Sequence, residues 1–295
     1  PDTGFKPNRT QRKQASRTTL TAQIERPDDA TVQVIMEGFC ADLFALDWYA
    51  DIHTRRVITF RDGRRTVDFA YTVTNGTDRP RAIYVVFDHG VDARHLDAQA
   101  YVPQRDGVKM HDNASGGSTW GHLGRRQADW WGVLKGAGTG AVETFDGAWA
   151  GRAYVHAKAN AGLGLHMELR PRILPPEASQ TWTYTLAALD GLHSLHGAAE
   201  GLVVGLEFRE APATNAWRAQ DPAPGKTIPV TARLLSDTDR RVSVELKQVD
   251  GSADDKLIAR ASRKVELKAH APLAVGFGEQ ELSGGVIAFI VTVRD

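Results

Sequence analysis

The sequence predicts an all-β protein, built as a large β-sandwich followed by a smaller one. In many segments of six to eleven residues, β-branched and aromatic residues alternate with polar ones at a period of two. Clusters of Gly, Asn, Asp and Pro, which favour turns, separate these segments. Amphipathic helices between the strands, which a doubly wound α/β fold requires, are not recognised.

The N-terminal part carries the first set of predicted strands. They cover residues 55–60, 65–75, 81–88, 180–189 and 201–210, separated by turn sequences such as RDGR, NGTDRP and LPPEAS. Short helical pieces are expected only around 41–49 and 191–199. The polar and basic residues 1–20 are expected to form an extended arm, so the large supersandwich-like domain is predicted to span 21–212.

A change of composition marks the boundary to a second domain. Prolines and alanines dilute the strand pattern in APATNAWRAQDPAPGK, so residues 213–226 are predicted to be a linker. Short alternating segments follow within 227–295 at the spacing of a small sandwich. This domain is predicted to be Ig-like, although it lacks the Cys pair and the Trp of antibody domains.

Charge and cysteine content limit the partners and the location of the chain. Basic and acidic residues balance at 36 each, so we expect neither nucleic acid nor an anionic membrane as a partner. No run of about 18 apolar residues is present, so no membrane insertion is expected. Cys40 is the single cysteine and is interpreted as a small buried hydrophobe. The chain opens on Pro1, and we expect a periplasmic or extracellular protein although no export signal is visible.

Three stretches resemble galactose-mutarotase-like β-supersandwich proteins. TRRVITFRDGRRTVDFAYTVTNGTDRPRAIYVVFDHG is similar to the passage in which a sugar-facing sheet of that family carries its Thr-Asn turns. ADWWGVLKGAGTGAVETFD resembles a Trp-bearing strand that turns through glycines into a second strand. HMELRPRILPPEASQTWTYTLAALDGL resembles the late strand pair of that fold. The resemblance covers roughly residues 30–205.

The resemblance implies a function in carbohydrate metabolism. Domains of this type occur as aldose epimerases and as parts of polysaccharide lyases and glycoside hydrolases, where some are catalytic and some only support a neighbouring domain. The epimerases use a His as acid and a Glu as base across a sugar ring. Asp88 and His89 lie near the position of the first family His, but the longer family motif around it is missing here.

The side chains of residues 109–131, and those of a strand end, are of the types that form saccharide sites. Aromatic rings cover the apolar face of a sugar, and charged forks bind its hydroxyls or carboxylate. The ligand-binding residues are predicted to be Asp88, Trp120, Arg125, Arg126, Asp129 and Trp131, with His89 and His122 as candidate acid and base. The adjacent arginines favour an acidic saccharide. The alternative interpretation is a surface loop with solvated polar residues.

The adjacent tryptophans cannot share one role. Side chains at neighbouring positions of a strand point to opposite faces, so only one of the two rings is expected to face the core. Trp131 shares its face with Asp129 and is therefore preferred over Trp130 for the site.

No metal or cofactor is expected. His193 and His196 have a spacing that could bind a metal on a helix turn, but no third ligand is recognised nearby. GAGTGA lacks the Lys-Ser/Thr and the strand-helix context of a phosphate loop, and it is interpreted as a hairpin turn. Asn75 begins one of three Asn-x-Ser/Thr triplets, which are glycosylation acceptors if the host glycosylates.

The predicted function is saccharide binding by an accessory protein of polysaccharide metabolism, with other domains of a larger protein as further partners. Two alternatives stay open. One is a catalyst, either aldose epimerase-like or a lyase that abstracts a proton beside a uronate carboxylate while Arg neutralises the enolate. The other is a structural module of a larger secreted complex, in which the aromatic residues only build the core.

Overall fold

The computed structural model describes residues 21–39, 51–91, 98–104, 107–112, 119–122, 129–136, 138–158, 162–199, 201–208, 226–250, 256–282 and 287–295. In these ranges the chain forms 22 β-strands, one turn of 3₁₀ helix at Gly147–Trp149 and no α-helix. The predicted all-β class is confirmed.

The strands follow one another closely along the chain. The first eleven are β1 (Thr21–Asp28), β2 (Thr31–Phe39), β3 (Ile52–Arg61), β4 (Thr66–Asn75), β5 (Arg81–Ile83), β6 (Val86–Val91), β7 (Gln99–Gln104), β8 (Gly107–Asp112), β9 (Thr119–His122), β10 (Trp130–Leu134) and β11 (Gly140–Phe145). The others are β12 (Ala150–Lys158), β13 (Gly162–Leu169), β14 (Arg172–Leu174), β15 (Ser179–Leu189), β16 (Gly197–Ala199), β17 (Leu202–Phe208), β18 (Lys226–Ser236), β19 (Arg240–Asp250), β20 (Lys256–Leu267), β21 (Leu273–Leu282) and β22 (Ile287–Arg294).

The chain forms two compact units, each assembled from separate segments. Unit 1 consists of Pro1–Phe87, Phe145–Ala153 and Met167–Leu186. Unit 2 consists of Asp88–Thr144, Tyr154–His166 and Ala187–Asp295. The predicted domains, 21–212 and 227–295, are continuous stretches of the sequence, and this division stays a prediction.

In unit 1, strands lie side by side in the order β1-β2-β3-β4-β15. One face of this sheet is aromatic: the rings of Phe69 and Tyr184 stack with centroids 4.6 Å apart, and the Arg56 guanidinium lies 5.6 Å from the Tyr71 ring centroid. The other face is polar, with cross-strand hydrogen bonds such as that between the hydroxyls of Thr72 and Thr181. The alternation of period two thus produces one apolar and one polar face.

Unit 2 contains a sheet with the order β11-β10-β7-β8 and most of a second sheet with the order β6-β13-β12-β9. The rest of the unit is a sandwich of two sheets, ordered β16-β17-β18-β21 and β20-β19-β22. Its core joins both sheets, since Leu234 and Val275 from the first and Val244 and Leu246 from the second belong to one buried cluster. The Ig-like assignment of this sandwich stays a prediction.

Several local predictions are wrong or fall outside the described residues. The predicted strand 81–88 is two strands, β5 and β6, separated by Tyr84 and Val85. The expected helical piece at 191–199 is extended and ends in β16, which pairs with β17. Residues 1–20, the piece at 41–49, Cys40 and all of the predicted linker except Lys226 lie outside the described residues. No helix in the described part of the chain is long and apolar enough to cross a membrane.

Candidate functional site

The tryptophan-glycine stretch 129–141 is a β-hairpin in unit 2. Trp130 pairs with Thr144, and Leu134 pairs with Gly140, so the turn covers 135–139. The Lys135 N–H donates to the Thr139 carbonyl and the Gly138 N–H to the Lys135 carbonyl, both at 2.8 Å. Gly138 has a φ of 81°, which favours glycine. The interpretation of GAGTGA as a hairpin turn is confirmed.

Trp130 faces the core of unit 2. Its side chain is 5% exposed and belongs to a cluster that includes Leu192 and Leu195, both fully buried. Gly132 lies on the same face of β10. A Cβ there would lie 2.4 Å from Leu195 Cδ1, so the absent side chain lets Leu195 pack against the strand.

Trp131 points to the opposite face, where it contacts a buried carboxylate. Its partner across the hairpin is Glu143, and the Trp131 Nε1–H donates a hydrogen bond to Glu143 Oε2 at 2.9 Å. Both side chains are almost fully buried, with Trp131 3% and Glu143 1% exposed.

The expectation that only one tryptophan is buried is therefore wrong. The alternation holds, because the two rings do point to opposite faces. The error lies in assuming that one face of the strand is open, whereas this part of the sheet is covered on both faces. The ligand-binding role of Trp131 stays a prediction, and it now concerns a ring that has little exposed surface.

Glu143 was missed by the analysis of the sequence. The register of the hairpin places Trp131 and Glu143 opposite each other. A carboxylate at that position can accept the indole hydrogen bond, because a buried indole N–H usually has a partner. Turn composition predicts the hairpin but does not fix its register, so the sequence pattern does not predict this pair.

His111 lies on the same face as Trp131. Its partner in β7 is Ala100, which in turn pairs with Val133 of β10, and the side chain is half-buried. The backbones of β11 and β8, which carry Glu143 and His111, are three strand spacings apart, about 14 Å.

The predicted residues Asp88, His89, Trp120 and His122 belong to a single sheet. Asp88 and His89 lie in β6, and Trp120 and His122 lie in β9; these are the two edge strands of β6-β13-β12-β9. In the register between β9 and β12, Trp120 pairs with His156 and His122 with Tyr154. Sequence positions more than 30 residues apart are thus placed in one sheet.

The other predicted site residues differ in how far the structure describes them. Asp129 is exposed and directly precedes β10. Arg125 and Arg126 lie outside the described residues.

The two histidines weighed as metal ligands have different surroundings. His193 is exposed, whereas His196 is largely buried and its Nδ1 accepts a hydrogen bond from the Leu206 N–H at 3.1 Å. Burial lowers the pKa of His196 to about 4, so the ring is neutral at pH 7. In the part of the chain that the structure describes, no three His, Cys, Asp or Glu side chains are grouped to hold a metal ion.

Comparison with known proteins assigns no family. No protein family matches the sequence, and no curated protein matches it. Solved structures with some likeness include protein Slr1438 from Synechocystis sp. PCC 6803, with 8% identity and a TM-score of 0.44 over 58% of this chain and 66% of that one.

Two other solved structures have names that refer to carbohydrate enzymes. A putative aldose 1-epimerase from Klebsiella pneumoniae is 12% identical, with a TM-score of 0.39 over 58% of this chain and 54% of that one. The GH36 alpha-galactosidase AgaB from Geobacillus stearothermophilus is 12% identical, with a TM-score of 0.41 over 59% of this chain and 28% of that one. The chain spans less than two thirds of the length of each of these three proteins. Likeness at this level does not establish membership of a family.

Proposed function

We propose that this chain is a saccharide-binding protein of polysaccharide metabolism, and that its binding surface lies in unit 2 on the β6-β13-β12-β9 sheet and the adjoining residues before β10. The residue types support this proposal. Trp120 and Tyr154 supply rings for the apolar face of a sugar, and His122 supplies a group for its hydroxyls. Asp88 and His89 are neighbours on β6, where successive side chains alternate between the two faces, so only one of them supplies a further group to this surface.

The observation that carries the proposal is the shared sheet. The strand with Asp88 and His89 and the strand with Trp120 and His122 form its two edges, about 14 Å apart. Between them lies β12, whose His156 and Tyr154 are register partners of Trp120 and His122. A surface of this width fits an oligosaccharide better than a single sugar ring.

Within this surface, Trp120 is the proposed stacking ring. Trp131 is 3% exposed and hydrogen-bonded to Glu143, so contact with a sugar would first require the hairpin to be uncovered. We therefore propose that Trp131 supports the hairpin, that the exposed Asp129 contacts the ligand, and that Arg125 and Arg126 bind the carboxylates of an acidic saccharide.

Binding without catalysis is the form of the proposal that we favour. The proposed acid and base, His89 and His122, lie on the two edge strands of a four-stranded sheet, whose backbones are about 14 Å apart.

A glycan array probed with the full chain tests the proposal, followed by titration calorimetry on the glycans that bind. Trp120→Ala is expected to weaken binding about tenfold or more, because a stacked ring supplies apolar contact that Ala cannot replace. Its melting temperature is checked alongside. The matched control is Tyr84→Ala in unit 1, which removes an aromatic ring that is 53% exposed. Absence of binding to any neutral or acidic glycan, or wild-type affinity in Trp120→Ala, refutes the proposal.

Catalysis is distinguished by product formation. The chain is incubated with alginate, pectate and glycosaminoglycans while ultraviolet absorbance is followed for an unsaturated uronate, and with aldoses while anomer exchange is followed by NMR. We expect no turnover in either assay. Turnover that is lost in both His89→Ala and His122→Ala replaces the binding proposal with the catalytic one.

A further inference from the structure

The C-terminal sandwich of unit 2 has an outer face with a surplus of positive charge. This basic face consists of Ser243, Glu245 and Lys247 of β19, Arg260, Ser262 and Lys264 of β20, and Ile290, Thr292 and Arg294 of β22. The alternate residues of β19, including Val244 and Leu246, are buried in the sandwich core. The basic face therefore points away from that core.

The register of the three strands fixes the positions of the charges. Lys264 and Arg294 flank Ser243 in one row across the sheet, and Arg260 lies beside Lys247 two rows further. Strand spacing puts Lys264 and Arg294 about 10 Å apart at their Cα atoms. These nine residues include four cations and one carboxylate, and the next row of the face, Arg241 and Glu266, adds one charge of each sign, so the formal surplus is three positive charges.

The single carboxylate holds two of the cations in place. Glu245 is 5% exposed; it forms hydrogen bonds with Arg260 and lies 3.2 Å from the Lys247 Nζ. The hydrogen bonds from Arg260 hold the pKa of Glu245 below its usual range, so the carboxylate stays ionised at neutral pH. Cations that are held before a ligand arrives lose less conformational freedom on binding.

The other two cations are not neutralised by neighbouring acids. No acidic side chain in the described part of the chain forms an ion pair with Lys264 or Arg294. The neighbouring Arg241 and Glu266 pair with each other, and Asp295 lies 3.9 Å from Arg240. The hydroxyls of Ser243, Ser262 and Thr292 lie between the cations and can bind further oxygen atoms.

We propose that this basic face binds an acidic polysaccharide through its carboxylate groups. Spaced cations with hydroxyls between them match a linear chain that alternates carboxylates and hydroxyls. The described residues of the face include no aromatic ring, so it offers no stacking platform for the bases of a single-stranded nucleic acid. This inference rests on the proposed function only in that the ligand is a saccharide, because the basic face is distinct from the surface that contains Trp120.

The test measures binding of the full chain to polygalacturonate at low salt by biolayer interferometry, with neutral dextran and a single-stranded oligodeoxynucleotide as comparison ligands. Lys264→Gln/Arg294→Gln is expected to weaken binding to polygalacturonate about tenfold, and added salt is expected to weaken binding of the wild type. The matched control Arg79→Gln/Arg172→Gln removes two exposed charges from unit 1 and is expected to bind as the wild type does.

Three outcomes overturn the inference: equal loss in the control, unchanged binding in Lys264→Gln/Arg294→Gln, or binding of dextran or the oligonucleotide as tight as that of polygalacturonate. Trp120→Ala separates this inference from the proposed function. Glycan binding that depends on Trp120 but not on Lys264 and Arg294 leaves the proposed function standing alone. Polygalacturonate binding that depends on Lys264 and Arg294 but not on Trp120 leaves the basic face as the only supported binding surface.

Discussion

Asn75 organises a turn of unit 1 through its side-chain amide. The amide nitrogen donates to the carbonyls of Arg79 and Leu174 at 2.9 Å and of Pro175 at 3.1 Å, and Oδ1 accepts from the Thr77 hydroxyl at 2.7 Å. The residue is fully buried. Its position in an Asn-Gly-Thr triplet therefore has a structural cause, since a buried amide with three acceptors cannot carry a glycan in the folded chain.

We expect Asn75→Ala to lower the free energy of unfolding by about 3 kcal/mol, because it leaves buried carbonyls without a donor. Urea unfolding followed by circular dichroism measures the change. The control is Gln23→Ala, which removes an exposed amide and is expected to cost less than about 0.5 kcal/mol. Similar losses in both variants would contradict the role given to Asn75.

The Trp131 and Glu143 side chains form a buried pair whose strength can be measured. Trp131→Phe keeps an aromatic ring but removes the N–H donor, so we expect it to cost about 2 kcal/mol by leaving Glu143 Oε2 without that bond. Glu143→Gln keeps an acceptor and should cost less. A double-mutant cycle gives the coupling energy, and a value near zero would show that the hydrogen bond adds nothing to stability.

The segment 190–196 and strand β17 show why a short element was assigned wrongly. Ser194 Oγ donates to the Leu206 carbonyl at 2.6 Å, and the His196 N–H donates to the Val204 carbonyl at 2.7 Å. The segment thus continues the β16 pairing along β17. Leu192 and Leu195 are spaced by three, which is compatible with a helix, but tertiary hydrogen bonds select the extended form.

Protonation of His196 is expected to destabilise this segment. The folded pKa of His196 is about 4, against an ordinary 6.5, so between these pH values the unfolded chain binds the proton and the folded chain does not. The contribution of neutral His196 to the free energy of unfolding is full above pH 6.5. It is lost as the pH falls toward 4, and the total loss is about 3 kcal/mol. Urea unfolding at successive pH values should show this loss in the wild type and not in His196→Asn.

The exposed His193 provides the control for this titration. His193→Asn, three residues away, should keep the pH dependence of the wild type. A pH dependence that survives in His196→Asn would assign the acid sensitivity to other groups.

Across unit 2, the C-terminal sandwich depends on strands that precede the predicted linker. Leu202 to Phe208 of β17 pair with Ser236 to Val230 of β18, and Leu206 belongs to the sandwich core. A fragment of residues 227–295 would lose these contacts and leave one side of β18 unpaired. The predicted domain boundary implies that residues 227–295 fold independently of β17.

We expect the fragment 197–295 to unfold cooperatively and the fragment 227–295 to do so at a clearly lower temperature or not at all. Losing buried residues such as Leu206 costs about 3 kcal/mol each, a large part of the stability of a small domain. Thermal unfolding followed by circular dichroism compares the two fragments. Equal melting temperatures would instead support a sandwich that begins at residue 227.

The candidate site was predictable to the extent that it follows from local patterns. Strand alternation predicted that the rings of Trp130 and Trp131 point to opposite faces, and turn chemistry predicted the hairpin between them. Neither pattern tells whether a strand is covered on one face or on two, so the burial of Trp131 was not foreseen. Glu143 was missed because its role depends on cross-strand register.

By itself the sequence determined the all-β class, strands such as β3, β4, β15 and β17, and the glycine hairpin, because period-two patterns and turn residues act within a few residues of each other. Only the tertiary structure decided which strands became neighbours: β6 and β9 as edges of one sheet, β17 beside β18, and Glu143 opposite Trp131. The physical reason is that sheet pairing joins residues far apart in sequence, and their pairing is set by burial and register that no local pattern contains.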